Sequence, residues 1–254
     1  MSVLLESRDL NKTFALGKQN KQHVLKDVDV QIERGEFIAV MGPSGSGKST
    51  LLYNISGMDR MTSGSVIFDG QELSDLSEEA LSDVRLTEMG FIFQHIHLLK
   101  NLSIFDNVIL PAYLARNGGR KGVNRRATEL METVGIAELA DHNVTQASGG
   151  QLQRVGICRA LINEPAILFG DEPTGALNSK AAGEIMDLLA DINRSGTTIL
   201  LVTHNAKIAS RTERVLFMLD GKIASERRLG KYTGNGDIRA REEGLSNWLL
   251  EMGF

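Results

Sequence analysis

The sequence predicts an α/β fold in which several buried strands end at a common ligand-binding edge. Three observations carry this prediction. An apolar run at 37–41 is followed at once by a glycine-rich loop and then by a helical segment. Two later apolar runs, within 166–173 and 197–204, each lead directly into polar side chains. Short apolar runs of this kind indicate buried strands, and polar residues at strand ends are typical of ligand sites in α/β sheets.

The glycine-rich loop, Gly42–Thr50, fits the pattern G-x-x-x-x-G-K-[ST] in full. Its glycines let successive N–H groups turn toward a phosphate, and the helix that follows adds further donors and the positive end of its dipole. Lys48 supplies a charge for the β- and γ-phosphates, the Ser49 hydroxyl suits Mg²⁺, and Thr50 suits the α/β-phosphate side. The sequence therefore predicts a nucleotide triphosphate site. The candidate contacts are Gly42, Ser44, Gly45, Ser46, Gly47, Lys48, Ser49 and Thr50.

Composition limits the classes of protein to consider. The 254 residues suit one large α/β domain, or a main domain with a small subdomain, and the net charge of −4 gives no support for a nucleic-acid binder. No apolar run approaches the ~18–20 residues that cross a bilayer. Met1–Glu6 lacks the features of a signal peptide, so we expect a cytoplasmic location. The lone Cys158 excludes an internal disulfide and lies in a predicted helix.

Two segments before the loop predict strands. Residues 3–10 suggest an edge strand, and the alternation of Val24, Val28, Val30 and Ile32 suggests a half-exposed antiparallel strand over 23–32. Between them, Phe14 has two interpretations. It is either one more core aromatic or a ring that stacks on a nucleotide base, and only its position relative to the loop favours the second.

Polar residues end three further predicted strands. The strand 90–94 ends at Gln94, and the strand within 166–173 ends in Asp171 and Glu172. Burying two adjacent carboxylates is costly unless a cation or a reaction uses them. Asp171 suits Mg²⁺ binding through water, and Glu172 suits the orientation and deprotonation of an attacking water. The strand within 197–204 ends at His204. A lone histidine is usually structural, but its position at the end of the third strand of this kind makes His204 a candidate γ-phosphate sensor.

Ser148-Gly149-Gly150-Gln151 opens a helix predicted to reach Asn163. The exposed N–H groups of this start suit an anion, but on these residues alone an ordinary N-cap by Ser148 is the better explanation. The basic run 116–126 predicts a solvated loop that leads into a helix at 125–133.

The C-terminal part contains two recognisable elements. Residues 214–224 predict a hairpin that turns at Asp220-Gly221. Residues 238–252 predict a helix with an apolar stripe formed by Leu245, Trp248, Leu249 and Met252. This stripe either packs on its own domain or docks on a partner subunit, and the sequence leaves both alternatives open.

In this order, from about Val3 to Ala224, the motifs resemble those of the ATP-binding subunits of ABC transporters. The resemblance implies an ABC cassette of the P-loop NTPase class, with a RecA-like core, an antiparallel β subdomain and a helical signature subdomain. It implies ATP and Mg²⁺ as ligands. It divides the chain into an ATPase domain at 1–229, with the helical subdomain at about 95–160, and a tail at 230–254 with a short amphipathic helix.

The same resemblance assigns roles to the candidate residues. The loop 42–50 holds ATP, and Phe14 stands where the family places an aromatic ring on adenine. Gln94 matches the Q-loop glutamine, which contacts Mg²⁺ and the water and senses the transmembrane partner. The other matches are Asp171 to the Mg²⁺ aspartate, Glu172 to the catalytic glutamate, His204 to the switch histidine, and Ser148, Gly149, Gly150 and Gln151 to the signature motif.

The signature motif implies a dimer. In the family, two cassettes face each other head to tail, and each ATP lies between the P-loop of one and the signature motif of the other. Two positions depart from the family pattern. Ala147 stands where Leu is usual, and Asn178 stands where the D-loop usually has Asp, so a charge is lost at that position.

Three segments, 90–94, 107–111 and 171–177, resemble the group that contains the LolD, MacB and BceA ATPases, whose partners are FtsX-like permeases. The tail with Trp248 resembles the antimicrobial-peptide resistance branch. We therefore expect a homodimeric ATPase at the cytoplasmic face of the membrane that drives an FtsX-like permease in peptide export or resistance, with no nucleic-acid partner.

Other functions are alternatives to this expectation. A LolD- or MacB-type role in lipoprotein release or drug efflux uses the same motifs. A soluble ABC-type ATPase of translation or DNA repair usually carries two cassettes or a long coiled-coil insertion, and this chain has neither. A module that senses ATP without useful hydrolysis is supported by Asn178 alone.

Overall fold

The fold consists of two β-sheets with helices packed around them. The structure is a computed structural model that describes residues 2–17, 20–116, 119–234 and 238–254. Its strands are β1 (Val3–Leu16), β2 (Asn20–Glu33), β3 (Phe37–Met41), β4 (Ser63–Phe68), β5 (Gln71–Glu72), β6 (Met89–Phe93), β7 (Ile167–Asp171), β8 (Thr198–Val202), β9 (Arg214–Leu219) and β10 (Lys222–Arg228). Its α-helices are α1 (Lys48–Ile55), α2 (Glu78–Glu88), α3 (Ile104–Leu114), α4 (Arg120–Thr133), α5 (Gly149–Leu161), α6 (Ser179–Arg194), α7 (Ala206–Ala209) and α8 (Ile238–Glu251).

The larger sheet has six strands in the order β10-β9-β3-β8-β7-β6. All neighbouring pairs are parallel except β9 and β10. Every residue of β3 and β8 is buried, as expected for parallel strands that are covered on both faces. Because the strands are parallel, the carboxyl ends of β3, β6, β7 and β8 meet at one edge. The predicted α/β class and the predicted common edge are confirmed.

The smaller sheet is antiparallel, in the order β2-β1-β4-β5. The prediction of an edge strand at 3–10 is wrong, because Leu5 in β1 pairs with Ile32 on one side and with Phe68 on the other. The predicted strand at 23–32 lies within β2. There Asp27 takes a positive φ of 49° at a register shift, and Leu25 is buried where the simple alternation placed Val24.

Helices α3, α4 and α5 pack around a separate apolar core that contains Val108, Met131, Val155 and the buried Cys158. Helix α3 was not predicted from the sequence, because Pro111 lies inside it. A proline inside a helix costs about 3 kcal/mol, but the buried Val108 and Ala112 pack against this core on either side of it.

Helix α4 also differs from the prediction. It begins at Arg120 and not at Arg125, so the basic run 116–126 is in large part helical and not a loop. Positions 117 and 118 of that run lie outside the described residues.

Helix α8 packs on the larger sheet of its own chain. Leu245, Trp248 and Leu249 are buried and share an apolar cluster with Met41 of β3 and Phe217 of β9. The rings of Phe217 and Trp248 meet edge to face with centroids 6.1 Å apart. Of the two interpretations of the apolar stripe, the structure thus favours packing within the chain.

Candidate functional site

The glycine-rich loop joins β3 to α1 and takes a shape that only glycine allows at its start. Gly42 has a φ of 148°, and a Cβ atom there would lie 2.0 Å from the carbonyl oxygen of Met218. Gly47 has a φ of 103° and occupies the N-cap position of α1. The Gly221 N–H donates to the Ser46 carbonyl at 3.1 Å, so the β9–β10 turn supports the loop from below. The loop is therefore held between the two hairpin strands and the helix.

Lys48 lies across the loop that precedes it. Its Nζ donates to the carbonyl oxygens of Gly42 at 2.9 Å and of Pro43 at 2.8 Å. Burial lowers the pKa of the Lys48 ammonium, and the carboxylates of Glu172 and Asp171 act in the opposite direction. An ammonium has three N–H donors, so two of them fix the side chain and the third is available to a bound anion.

Asp171 receives hydrogen bonds from two side chains of α1. The Ser49 hydroxyl donates to Asp171 Oδ1 at 2.8 Å, and the Tyr53 hydroxyl donates to Oδ2 at 2.7 Å. Burial, followed by the contact with Asp171, raises the pKa of Tyr53 to about 12. Tyr53 is not among the site residues that the sequence predicted. The available signal was its position four residues after Ser49, which places both side chains on one face of the helix.

Glu172 and His204 form a pair at the ends of β7 and β8. Glu172 Oε1 accepts a hydrogen bond from the His204 backbone N–H at 3.1 Å and lies 2.7 Å from His204 Nδ1. The Glu172 side chain is mostly buried, whereas that of His204 is 70% exposed. The imidazole can therefore reach solvent or a ligand while it holds the carboxylate.

Gln94 follows β6 and lies beside Asp171 along the backbone. Its N–H donates to the Asp171 carbonyl at 3.0 Å. Its side chain packs against Gly175, where an added Cβ would lie 2.9 Å from Gln94 Nε2. Gln94 therefore lies at the same edge of the larger sheet as Asp171 and Glu172. Its side-chain amide is directed at the segment that follows Glu172.

A polar cleft of about 580 Å³ opens above the loop. It is bounded by the loop, by Glu172, by the Asp220-Gly221 turn and by residues of β1 and β2. The predicted site residues that line it are Phe14, Ser44, Gly45, Gly47, Lys48, Ser49, Thr50 and Glu172. Gly42 and Ser46 lie buried beneath the loop surface.

Phe14 of β1 lines this cleft together with Glu172. The residue is 39% exposed, and Lys12 Nζ lies 4.7 Å from its ring centroid. Lys12 is itself held by Asp59, whose Oδ1 lies 2.7 Å from Nζ. A cation over one face of an aromatic ring is attractive, so Lys12 supports the ring.

The segment Ser148–Gln151 lies at a second cleft. In the described part of the chain, the residues that line the first cleft do not include this segment. Ser148 and Gln151 form a capping box at the start of α5. Together with Asn178 they line a cleft of about 350 Å³.

Asn178 caps a different helix. Its Oδ1 accepts a hydrogen bond from the Ala181 N–H at 2.9 Å at the start of α6. Asp and Asn are equally good N-cap residues, so the change from the usual Asp keeps this structural contact and removes a charge from the rim of the second cleft.

Among the described residues, no helix combines the length and apolar character needed to cross a membrane.

Comparisons with known proteins converge on one family. A family model described as ABC transporter matches residues 25–175. The Lipoprotein-releasing system ATP-binding protein LolD 1 of Rhodopseudomonas palustris is 40% identical over 225 residues, which cover 88% of this chain and 100% of that protein. The Bacitracin export ATP-binding protein BceA of Halalkalibacterium halodurans is 40% identical over 225 residues, 88% of each chain.

A longer relative and a solved structure complete the comparison. The Macrolide export ATP-binding/permease protein MacB of Bdellovibrio bacteriovorus is 42% identical over 89% of this chain, which spans only 34% of that protein. A dimeric, post-hydrolysis structure of the ATP-binding cassette MJ0796 with ADP and Pi matches with a TM-score of 0.82 and 37% identity, over 89% of this chain and 99% of that one.

Proposed function

The chain belongs to the ABC transporter family, and we propose that it is the ATP-hydrolysing subunit that powers an FtsX-like permease. The observation that carries this proposal is the meeting of Lys48, Asp171, Glu172 and His204 at one edge of the sheet, around a loop shaped for phosphates. The LolD, MacB and BceA relatives support the assignment to their group.

In this proposal, ATP lies along the first cleft. The loop N–H groups and the remaining donor of Lys48 bind the β- and γ-phosphates. The Phe14 ring stacks on the base, and Lys12 Nζ lies over the same ring at 4.7 Å from its centroid. Thr50 lines the same cleft beside Ser49, and we assign it to the α/β-phosphate side.

The donor set beside the loop fits Mg²⁺. The Ser49 hydroxyl and the Asp171 carboxylate lie within 2.8 Å of each other, and such hard oxygen ligands are those that this ion prefers. Ser49 and Asp171 would hold the ion. The Gln94 amide, which lies against Gly175 in this structure, would have to turn from there to become a further ligand. When bound, Mg²⁺ neutralises charge on the β- and γ-phosphate oxygens.

Glu172 acts as the general base. Its Oε1 is engaged by the backbone N–H and by the ring of His204, which leaves Oε2 to orient the attacking water and accept its proton. His204 holds the carboxylate in place and extends toward the γ-phosphate, as its exposure permits.

The second cleft serves a second copy of the chain. In the proposed head-to-tail homodimer, Ser148, Gly149, Gly150 and Gln151 of one copy face the ATP on the loop of the other. The dimeric structure of the cassette MJ0796 with ADP and Pi supports the dimer itself. The head-to-tail arrangement explains why the segment 148–151 stands apart from the phosphate loop within one chain.

For the cargo, we propose peptide antibiotics, with the chain bound to its permease at the cytoplasmic face of the membrane. The BceA relative, named for bacitracin export, supports this choice over 88% of both chains. Lipoprotein release is the second candidate, because the chain also spans 100% of a LolD relative.

One purification tests the proposal. The tagged chain is recovered from solubilised membranes of its source cells as wild type, as Glu172→Gln and as the control Glu129→Gln, an exposed residue of α4. ATPase activity is measured alone, with bacitracin and with a purified lipoprotein. We expect a ten-helix FtsX-like permease to co-purify, and Glu172→Gln to lower turnover by about 10²–10⁴-fold, the usual contribution of a general base.

The outcomes separate the parts of the proposal. Turnover that survives Glu172→Gln would remove this residue from its role. Recovery of ribosomes or DNA without a membrane partner would exclude the transport function. Stimulation by bacitracin supports the peptide cargo, and stimulation by lipoproteins alone would replace it with the second candidate.

A further inference from the structure

The Tyr53 hydroxyl occupies a position that the proposed mechanism does not yet use. It donates to Asp171 Oδ2 at 2.7 Å, while Ser49 donates to Oδ1 at 2.8 Å. Each oxygen of this carboxylate therefore accepts a hydrogen bond from α1. Because Ser49 and Tyr53 are one helical turn apart, the same face of one rigid element sets both contacts.

We propose that Tyr53 is a positioning residue that fixes the orientation of the Asp171 carboxylate toward Mg²⁺. The inference rests on the proposed function, and it adds a residue outside the glycine-loop motif to the site. Hydrogen bonds to metal-binding carboxylates commonly orient them and tune their affinity, and their loss typically costs about 10–100-fold in metal affinity or activity.

The surroundings of Tyr53 suit this role. Its ring packs against the apolar core beneath the larger sheet, so the body of the side chain is held while its polar tip reaches Asp171. A hydrogen bond from a neutral hydroxyl to a carboxylate at this distance is of the short, charge-assisted kind.

A purely structural role is the alternative. Tyr53 could be a core residue whose hydroxyl donates to Asp171 only because buried tyrosine hydroxyls usually form a hydrogen bond. The two roles differ in one measurable respect. A positioning residue changes the contribution of Mg²⁺ to ATP binding, whereas a structural residue changes folding stability and leaves that contribution as it was.

The test compares Tyr53→Phe with Tyr113→Phe. Both changes remove only a hydroxyl, and Tyr113 is an exposed residue of α3 whose hydroxyl contacts Asn124 at 3.1 Å. Both are made in the full chain with Glu172→Gln, so that ATP is not consumed during the measurement. The dissociation constant of ATP is determined by calorimetry in EDTA and again in saturating Mg²⁺, and melting temperatures record folding.

The informative quantity is the ratio of the two dissociation constants. We expect Tyr53→Phe to leave the value in EDTA within about twofold and to lower the gain from Mg²⁺ by about 10-fold, in line with the loss of one outer hydrogen bond at a metal site. Tyr113→Phe should leave both values unchanged. In the chain with an intact Glu172, Tyr53→Phe should raise the Mg²⁺ concentration that gives half-maximal ATPase activity.

An unchanged ratio in Tyr53→Phe, whatever its melting temperature, would overturn the inference. If affinity in EDTA and affinity in Mg²⁺ fall equally, the ratio is also unchanged, and the loss would mean that the phosphate loop itself is disturbed. Failure of the proposed function looks different, because the reference chain with Tyr53 would then bind no ATP or gain nothing from Mg²⁺.

Discussion

Glu172 has a backbone conformation that only a few non-glycine residues adopt. Its φ is 48°, in the left-handed region, which costs roughly 1–2 kcal/mol for a residue with a Cβ atom. Backbone hydrogen bonds on both sides hold it there, from its N–H to Val202 and from the Gly175 N–H to its carbonyl. The turn directs the Glu172 side chain into the first cleft, while Asp171, one residue earlier, faces Ser49 and Tyr53 on α1.

Gly42 and Gly45 separate the two reasons for glycine in the loop. Both have positive φ, but an added Cβ meets the Met218 carbonyl at 2.0 Å from Gly42 and meets no atom within 4 Å from Gly45. Gly45→Ala should cost about 1–2 kcal/mol from backbone strain alone. Gly42→Ala should cost distinctly more and also weaken ATP binding, because the loop must move away from β9.

Denaturant unfolding and ATP titration of the two variants check this prediction. Unfolding free energies are compared at the same temperature, and equal slopes against denaturant confirm that only stability has changed. Equal losses in the two variants would show that the close approach to Met218 has no energetic consequence.

At the residue scale, the sequence predicted those positions whose chemistry depends on a local motif. The positions of Lys48 and Ser49 follow from the loop pattern, and that of Asp171 follows from its place at a strand end. Tyr53 was missed because an aromatic residue in a short helix looks like core. The contact between Glu172 and His204 joins residues 32 apart in sequence. Local sequence patterns carry no information about the backbone and side-chain conformations that bring two such residues into contact.

At the element scale, the strands of the larger sheet were the most predictable parts. Strands β3, β7 and β8 are short apolar runs with clear ends, since parallel strands buried on both faces need apolar residues throughout. The antiparallel sheet was less predictable, because a bulge at Asp27 changes which residues of β2 face inward. Helix α3 was hidden by Pro111, whose local cost is outweighed by packing that a sequence pattern does not reveal.

Helix α8 gives a prediction at this scale. Trp248 is 8% exposed and packs edge-on against Phe217, while Leu250 on the same helix is 70% exposed. Trp248→Ala should lower the free energy of unfolding by about 3–5 kcal/mol, the usual range for a buried aromatic residue. Leu250→Ala should change it by less than about 0.5 kcal/mol.

Chemical denaturation of the purified chain measures both variants. If α8 instead served mainly to dock on a partner, Trp248→Ala would leave the isolated chain as stable as Leu250→Ala does, and the packing against β9 would carry little energy.

At the scale of the whole molecule, the proposed homodimer gives each chain two incomplete halves of a site. The phosphate loop and Glu172 border the first cleft, with Asp171 hydrogen-bonded to Ser49 of the loop, and the helix start at Ser148 borders the second. The sequence predicted the phosphate loop from its own pattern, but it predicted a role for 148–151, and the pairing of the two halves, only through the resemblance to a dimeric family. Since a pair of identical chains related by a two-fold axis presents the same surfaces to each other, both halves would be completed at once.

This arrangement makes a prediction about mixtures of inactive chains. Lys48→Ala disables the loop of its own chain, and Gly150→Asp places a negative charge at the helix start where phosphates should bind. Each variant alone should form a dimer without an intact site. A dimer with one copy of each has one intact site, formed by the unchanged loop of one chain and the unchanged helix start of the other.

Equal amounts of the two variants should therefore recover about a quarter of the wild-type ATPase activity, if chains pair at random and the two sites act independently. The measurement is ATPase activity against mixing ratio, with the double variant Lys48→Ala, Gly150→Asp mixed with wild type as the matched control. In that control no new intact site arises, because every mixed dimer joins a disabled half to a working half at both sites.

Mixtures of the single variants that stay inactive at every ratio would mean that each chain completes its site alone or that both sites must be intact, and the control series distinguishes these two cases. If ATPase activity in the control falls in proportion to the fraction of wild-type chain, each chain completes its site alone. If it falls more steeply than that fraction, both sites must be intact.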